Sequence, residues 1–259
     1  MESSTFPRIA RALRPVLVAT LLALAGVAIA RYVAGVGGRT EGTAVVVAFG
    51  DSLTEGGGFV SRPWPAVLAE RLARQPGASH VSVVNAGISG NRLLRDDAGP
   101  SGLRRFRRDA LGKARVRWVI MLEGINDLGY AGSAEPGAPP VTADELIAGY
   151  RQLIAQARAA GVKIYGGTLL PFEGAAWGYF SPDKERVRQA VNAWMRTSGE
   201  VDAVIDFDAA VRDPERPGRL RPGYDHGDHL HLNAAGQRAM GEAVDLRLFE
   251  EGGERSARG

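Results

Sequence analysis

Apolar residues fall into two patterns along this chain, short unbroken runs and wider-spaced stripes. Ala44-Val45-Val46-Val47-Ala48-Phe49 is an unbroken run, rich in β-branched residues and stopped by Gly50, as expected of a strand buried on both faces. Similar runs recur at 81–84, 118–122, 162–169 and 201–207. Between them lie helical stripes. Leu146, Ile147, Tyr150, Leu153, Ile154 and Ala157 share one helix face, with Thr142 and Glu145 spaced as a capping box and Gly161 placed to end the helix. Val187, Ala190, Val191, Trp194 and Met195 form a second stripe, opened by Ser181 as N-cap and Pro182 at the first helical position. Two further helices are predicted over 64–74 and 234–248, the latter capped by Asn233. Strands alternating with helices predict an α/β fold, a parallel sheet with helices on both faces. Ligands in such sheets bind beyond the carboxyl ends of the strands, so the polar residues just after each run matter most.

The ends of the chain follow neither pattern. Arg8, Arg11 and Arg14 precede an uncharged apolar run over 16–30 that closes on Ala28-Ile29-Ala30, the layout of a signal peptide over 1–30. That run is shorter than the roughly 20 residues of a membrane-spanning helix. Cleavage would give a secreted or periplasmic protein with no stable membrane association; an uncleaved anchor extended through Tyr32-Val33-Ala34-Gly35-Val36 is the alternative. A Gly-rich linker is expected over 31–42, one domain over 43–249 and a frayed polar tail over 250–259.

Composition narrows the chemistry. Across 259 residues, 45% apolar and 24% charged is a globular balance rather than a disordered one. The absence of cysteine excludes disulfides, thiolate metal sites and a cysteine nucleophile. A formal net charge of +3 sits largely in the first thirty residues, so charge does not indicate a nucleic-acid partner.

Four segments carry suspicious polar residues. Gly50-Asp51-Ser52-Leu53 follows the first strand, and Ser52 there is either a nucleophile or a helix cap; the Gly-x-Ser-x-Gly elbow and the phosphate-binding loop are both absent. Asn85-Ala86-Gly87-Ile88-Ser89-Gly90-Asn91-Arg92 follows the second strand, its glycines permitting close backbone approach to a ligand. Gly124-Ile125-Asn126-Asp127 follows the third, where an amide would either donate to an oxyanion or cap the next segment. Last comes Tyr224-Asp225-His226-Gly227-Asp228-His229-Leu230-His231, in which Asp228–His231 and Asp225–His229 are rival carboxylate–imidazole pairs. A metal site on His226, Asp228, His229 and His231 is a third possibility.

In this order and context the four segments resemble the SGNH (GDSL) hydrolases. The resemblance implies a three-layer α/β/α sandwich on a flavodoxin-like, five-stranded parallel sheet, and an ester hydrolase needing no metal or cofactor. Its motifs assign the nucleophile to Ser52, the general base to His231 and the orienting carboxylate to Asp228. They assign the oxyanion hole to the N–H groups of Ser52 and Gly90 and the side-chain amide of Asn126. Asn91-Arg92-Leu93-Leu94, and Glu123 before Gly124, look closest to the carbohydrate-esterase-like members. Expected substrate contacts are Asp51, Asn91, Trp177 and Tyr179, with Phe172 and Phe180 completing an aromatic rim.

The implied substrate is a small-molecule or carbohydrate ester, with a short acyl group, acetyl foremost. Lysophospholipase or thioesterase activity on longer acyl chains is the alternative within the same chemistry. Outside it stand a metal-dependent hydrolase, which a chelator would inhibit, and a glycan-binding domain, which would never form an adduct at Ser52.

Overall fold

The first apolar run forms an interior strand of the sheet, where every residue of it is screened from water on both faces. β1 (Ala44–Gly50) is buried along its whole length and pairs in parallel with β2 (Val81–Gly87) on one side and β3 (Val116–Leu122) on the other. β4 (Lys163–Gly167) and β5 (Ala203–Ile205) extend the sheet beyond β3, giving the order β2-β1-β3-β4-β5. This is the flavodoxin-like doubly wound order. The computed structural model describes residues 44–250, apart from 134–136, 138 and 177. The expected signal peptide, linker and tail beyond Glu250 lie outside the described residues.

The helices are α1 (Ser52–Glu55), α2 (Trp64–Arg74), α3 (Gly102–Phe106, continuing as a π-helical turn, Arg107–Leu111) and α4 (Ile125–Tyr130). They continue as α5 (Ala143–Ala159), α6 (Pro182–Thr197), α7 (Phe207–Val211) and α8 (Ala234–Ala243). α2 packs with α8 and α5 packs with α6, one pair in each outer layer of an α/β/α sandwich. Their starts follow from capping chemistry. Thr142 and Glu145 form the reciprocal box, Ser181 accepts the Lys184 N–H, and Asn233 Oδ1 accepts from Ala235 and Gly236.

Among the boundaries that differ from expectation, three do so because side chains take over backbone bonding. β4 stops at Gly167 rather than at Leu169, since the Leu169 N–H donates to Asn192 Oδ1 instead of to a neighbouring strand. β5 stops at Ile205 because Asp206 caps α7, accepting the Ala209 N–H. The helix expected over 234–248 ends at Ala243. There Arg71 Nη1 donates to the carbonyls of Gly241 and Val244, and Asp245 opens a separate 3₁₀ turn (Leu246–Phe249). That turn buries Phe249 against Trp118 and Tyr165, with ring centroids 5.6 and 5.8 Å away. Full burial of a phenylalanine side chain stabilises by roughly 1.5–3 kcal/mol.

Candidate active site

Because β1 lies between β2 and β3, the segments leaving these three strands meet at one edge of the sheet. Asp51 Oδ1 accepts the Leu53 N–H at 2.9 Å and starts α1, so Ser52 is its first residue. Being first, its own N–H has no intrahelical acceptor. Gly90 sits at φ +76°, which a residue with a Cβ rarely adopts. Among the described residues, neither the Ser52 nor the Gly90 N–H has a hydrogen-bond acceptor. Asn126 is the second residue of α4, immediately beyond β3.

The histidine-rich loop closes over this edge. His231 Nε2 lies 2.9 Å from Ser52 Oγ, and His231 Nδ1 lies 2.6 Å from Asp228 Oδ2. Asp228 Oδ1 accepts the backbone N–H groups of His231 and Leu230 at 2.8 and 3.0 Å. Burial works against ionisation of Asp228, but the imidazole and the two N–H groups outweigh it and hold the carboxyl below its ordinary value. An ionised Asp228 requires hydrogen on Nδ1, which leaves the Nε2 lone pair facing the Ser52 hydroxyl. The Phe59 ring, 46% exposed, lies over this imidazole with its centroid 4.7 Å away.

Asn126 is fixed from two sides. Its Nδ2 donates to the Asn91 carbonyl at 2.8 Å, and its Oδ1 accepts the Tyr179 hydroxyl at 2.8 Å. With the amide so oriented, the second Nδ2 hydrogen remains for a ligand. Tyr179 is itself set edge-on to Tyr130 and Phe172.

Beneath the site, Arg105 is fully buried and stitches the converging segments together. Its guanidinium donates to the Gly50 and Ala86 carbonyls, to Asn91 Oδ1 and to Glu123 Oε2, and lies 3.9 Å from the Phe49 ring centroid. Burial, opposed by the Leu53 N–H and Arg105, pushes the Asp51 carboxyl up to about 7. Burial next to Asp51 keeps Glu123 well above the carboxylate range. Asp127 is pushed up to about 6 by burial, against the Leu94 and Leu93 N–H groups that it accepts. Several acids around so few cations cannot all ionise without water.

Ser52, Gly90, Asn126, Asp228 and His231 therefore line one cleft of about 600 Å³. Tyr179 lines it too, with its hydroxyl committed to Asn126. Two expected substrate contacts are corrected. Asp51 and Asn91 lie under the cleft floor, 1% and 0% exposed, because one caps α1 and the other ties the Gly90 loop to Arg105 and to the carbonyls of Ala98 and Pro100. Phe172 is likewise core, fully buried, with Phe180 packed on it. Trp177 lies outside the described residues. The rival Asp225–His229 pair is also formed, at 2.6 Å, and its imidazole lines the cleft beside the Ser52-linked pair. Among the described residues no three potential metal ligands converge. Arg105 escaped sequence reasoning because Arg104-Arg105-Phe106-Arg107-Arg108 reads as a solvated basic face. Only the packing of α3 turns one arginine inward.

A hydroxyl bonded to a carboxylate-backed imidazole, beside uncommitted N–H donors, has the parts for acyl transfer. A model of the GDSL-like lipase/acylhydrolase family matches residues 48–239. Comparison with curated proteins found no match. Among solved structures, a variant of an acetyl xylan esterase from Geobacillus stearothermophilus is similar at 24% identity and a TM-score of 0.60, covering 77% of this chain and 92% of the other. A GDSL-like lipase from Bacteroides thetaiotaomicron is similar at 20% identity and a TM-score of 0.57, covering 83% and 92%. LAE5, an α/β hydrolase from the metagenome of Lake Arreo, Spain, is similar at 22% identity and a TM-score of 0.58, covering 79% and 94%.

Proposed function

The chain belongs to the GDSL-like lipase/acylhydrolase family and is a carboxylic ester hydrolase, and on that premise we propose that it is a serine esterase acting on short acyl esters, acetyl above all, carried on carbohydrates. The observation that carries this proposal is the unbroken relay from Asp228 through His231 to Ser52, at 2.6 and 2.9 Å. Ser52 Oγ attacks the ester carbonyl carbon while its proton passes to His231 Nε2. The carbonyl oxygen becomes an oxyanion that accepts from the N–H groups of Ser52 and Gly90 and from Asn126 Nδ2. Collapse breaks the bond to the alcohol oxygen, which takes the proton from His231, and an acyl-enzyme remains. Water then repeats the sequence, giving its proton to His231 and releasing the acid and a free Ser52. Arg105 and Asn91 hold the reacting groups in register from beneath the cleft floor, and Tyr179 orients Asn126 from the cleft wall.

The cleft wall supports a short acyl group. Gly57, Gly90, Gly174, Ala175 and Ala176 contribute little apolar length, Leu230 is the one larger aliphatic side chain among the described lining residues, and Phe59, Tyr130 and Tyr179 add aromatic faces suited to a sugar ring. An acetyl group needs no more, whereas a long chain would need a continuous apolar channel to offset its ordering cost. The name of the Geobacillus relative, an acetyl xylan esterase, supports a sugar alcohol. The basic start and apolar run within residues 1–30 support export to the periplasm or medium; N-terminal sequencing of the secreted protein checks the cut near Ala30.

A substrate panel tests the proposal, with p-nitrophenyl esters from acetate to palmitate alongside acetylated xylan and lysophospholipid. Preference for acetyl esters and release of acetate from xylan are expected. Preference for palmitate or lysophospholipid would overturn the acyl assignment. Ser52→Ala should nearly abolish turnover on every substrate, and retained turnover would overturn the mechanism.

A further inference from the structure

The esterase chemistry leaves a second carboxylate–imidazole couple unused in the same cleft. Asp225 Oδ2 lies 2.6 Å from His229 Nδ1, while Asp225 Oδ1 accepts the N–H groups of Gly227 and His229 at 2.7 and 3.1 Å. The arrangement resembles that of Asp228 and His231, with the carboxylate three residues and the imidazole two residues earlier in the loop. His229 adopts φ +62°, a left-handed conformation disfavoured by a side chain with a Cβ. That conformation turns the imidazole onto the cleft wall, where it stays half-exposed and packs over Gly174. A Cβ at Gly174 would come within 3.0 Å of the ring, so this glycine supplies the room the ring needs.

Asp225 is largely buried and fixes the hydrogen on His229 Nδ1. With its hydrogen on Nδ1 the imidazole presents Nε2 as a hydrogen-bond acceptor, and among the described residues no protein group donates to it. A lone acceptor held rigidly on the wall of a substrate cleft selects for a donor. Ester carbonyls, ethers and aryl leaving groups have none to give, but a sugar hydroxyl has.

We propose that His229, oriented by Asp225, is a binding subsite for a free hydroxyl on the alcohol portion of the substrate, and so makes the enzyme selective for esters of partly acylated polyols. This deepens, and rests on, the assignment of sugar esters as substrates. The selection is one of binding; His231 remains the base.

The test compares kcat/KM on a methyl xyloside carrying one acetyl group and otherwise free hydroxyls, on its fully O-methylated counterpart, and on p-nitrophenyl acetate. Wild-type enzyme should prefer the free-hydroxyl glycoside. His229→Asn suits the same backbone, because asparagine tolerates the left-handed region. It should lose about tenfold more on the free-hydroxyl glycoside than on the other two substrates. Asp225→Asn should leave Oδ1 on its two N–H groups and turn an amide N–H₂ toward Nδ1. The ring hydrogen then moves to Nε2, and the ratio of free-hydroxyl to O-methylated glycoside should collapse, since an ether accepts from the new donor as well as a hydroxyl does. Equal losses on all three substrates, or a wild-type ratio in both variants, would overturn the subsite alone. Cleavage of p-nitrophenyl acetate but of neither glycoside by the wild-type enzyme would overturn the sugar-ester assignment itself.

Discussion

Replacing Asp228 by asparagine changes one oxygen for one nitrogen, and the geometry says where the new group must sit. Oδ1 accepts two backbone N–H groups, from His231 at 2.8 Å and Leu230 at 3.0 Å. An amide N–H₂ placed there would meet two donors, so the carbonyl oxygen keeps that position and the N–H₂ faces His231 Nδ1. Two N–H groups cannot share that contact. The imidazole therefore gives up its Nδ1 hydrogen and carries one on Nε2 instead, 2.9 Å from Ser52 Oγ. The base becomes a donor with no lone pair for the serine proton. Loss of the tautomer-setting carboxylate in a serine protease triad costs about 10⁴ in kcat, and a similar loss, roughly 10³–10⁴, is expected here. At about 1.4 kcal/mol per factor of ten this is roughly 4–5.5 kcal/mol of transition-state stabilisation. The fold should persist, because both backbone hydrogen bonds survive. The assay is steady-state hydrolysis of p-nitrophenyl acetate, with circular dichroism and the urea midpoint measured on the same preparation. Turnover within threefold of wild type, in a folded variant, would refute the assignment of His231 as base. A greater loss in Asp225→Asn than in Asp228→Asn on this substrate would transfer the role to His229.

Further perturbations probe the surrounding parts. Asn126→Ala should lower kcat on p-nitrophenyl acetate by about 10²–10³ with little change in KM, the loss of one side-chain oxyanion donor; near-normal kcat would remove Asn126 from that role. Tyr179→Phe keeps the packing but frees Asn126 Oδ1, and kcat should fall about tenfold while KM holds, as stopped-flow or steady-state rates would show. Asp51 and Asp127 titrate near 7 and 6 in the folded state against 3.8 when free, so between about pH 4 and 7 the native state binds more protons than the unfolded chain. Their contribution to stability is therefore full below pH 4 and is lost as the pH rises through that window. Asp228 and Asp206, with lowered values, act below it. Urea midpoints should accordingly drop from pH 5 to pH 8, and Asp51→Asn should flatten the slope; a rise over this interval, or an unaltered slope in the variant, would contradict the burial of these acids.

Much of the molecule was legible one segment at a time. The run 44–49 announces a strand buried on both faces, and the structure places it between two neighbours. Thr142, Ser181 and Asn233 announce helix starts through chemistry that acts over three residues. The short helices over 52–55, 102–106, 125–130 and 207–211 show no apolar stripe, because a helix of one or two turns has no periodicity to read. The aromatic cluster misled for a related reason. Composition cannot distinguish a ring that lines a cleft from one that fills a core, and Phe172 does the latter.

The local sequence thus determined which runs become strands, the caps that start the longer helices and the polar residues that follow the strands, since these depend on neighbours a few positions away. Tertiary structure alone decided that Ser52 meets His231, 179 positions along the chain, and that Arg105 turns inward to brace Asn91 while Tyr179 orients Asn126. Burial, pKa and side-chain orientation depend on which distant segments exclude water from a group, and only the strand order β2-β1-β3-β4-β5 brings those segments together.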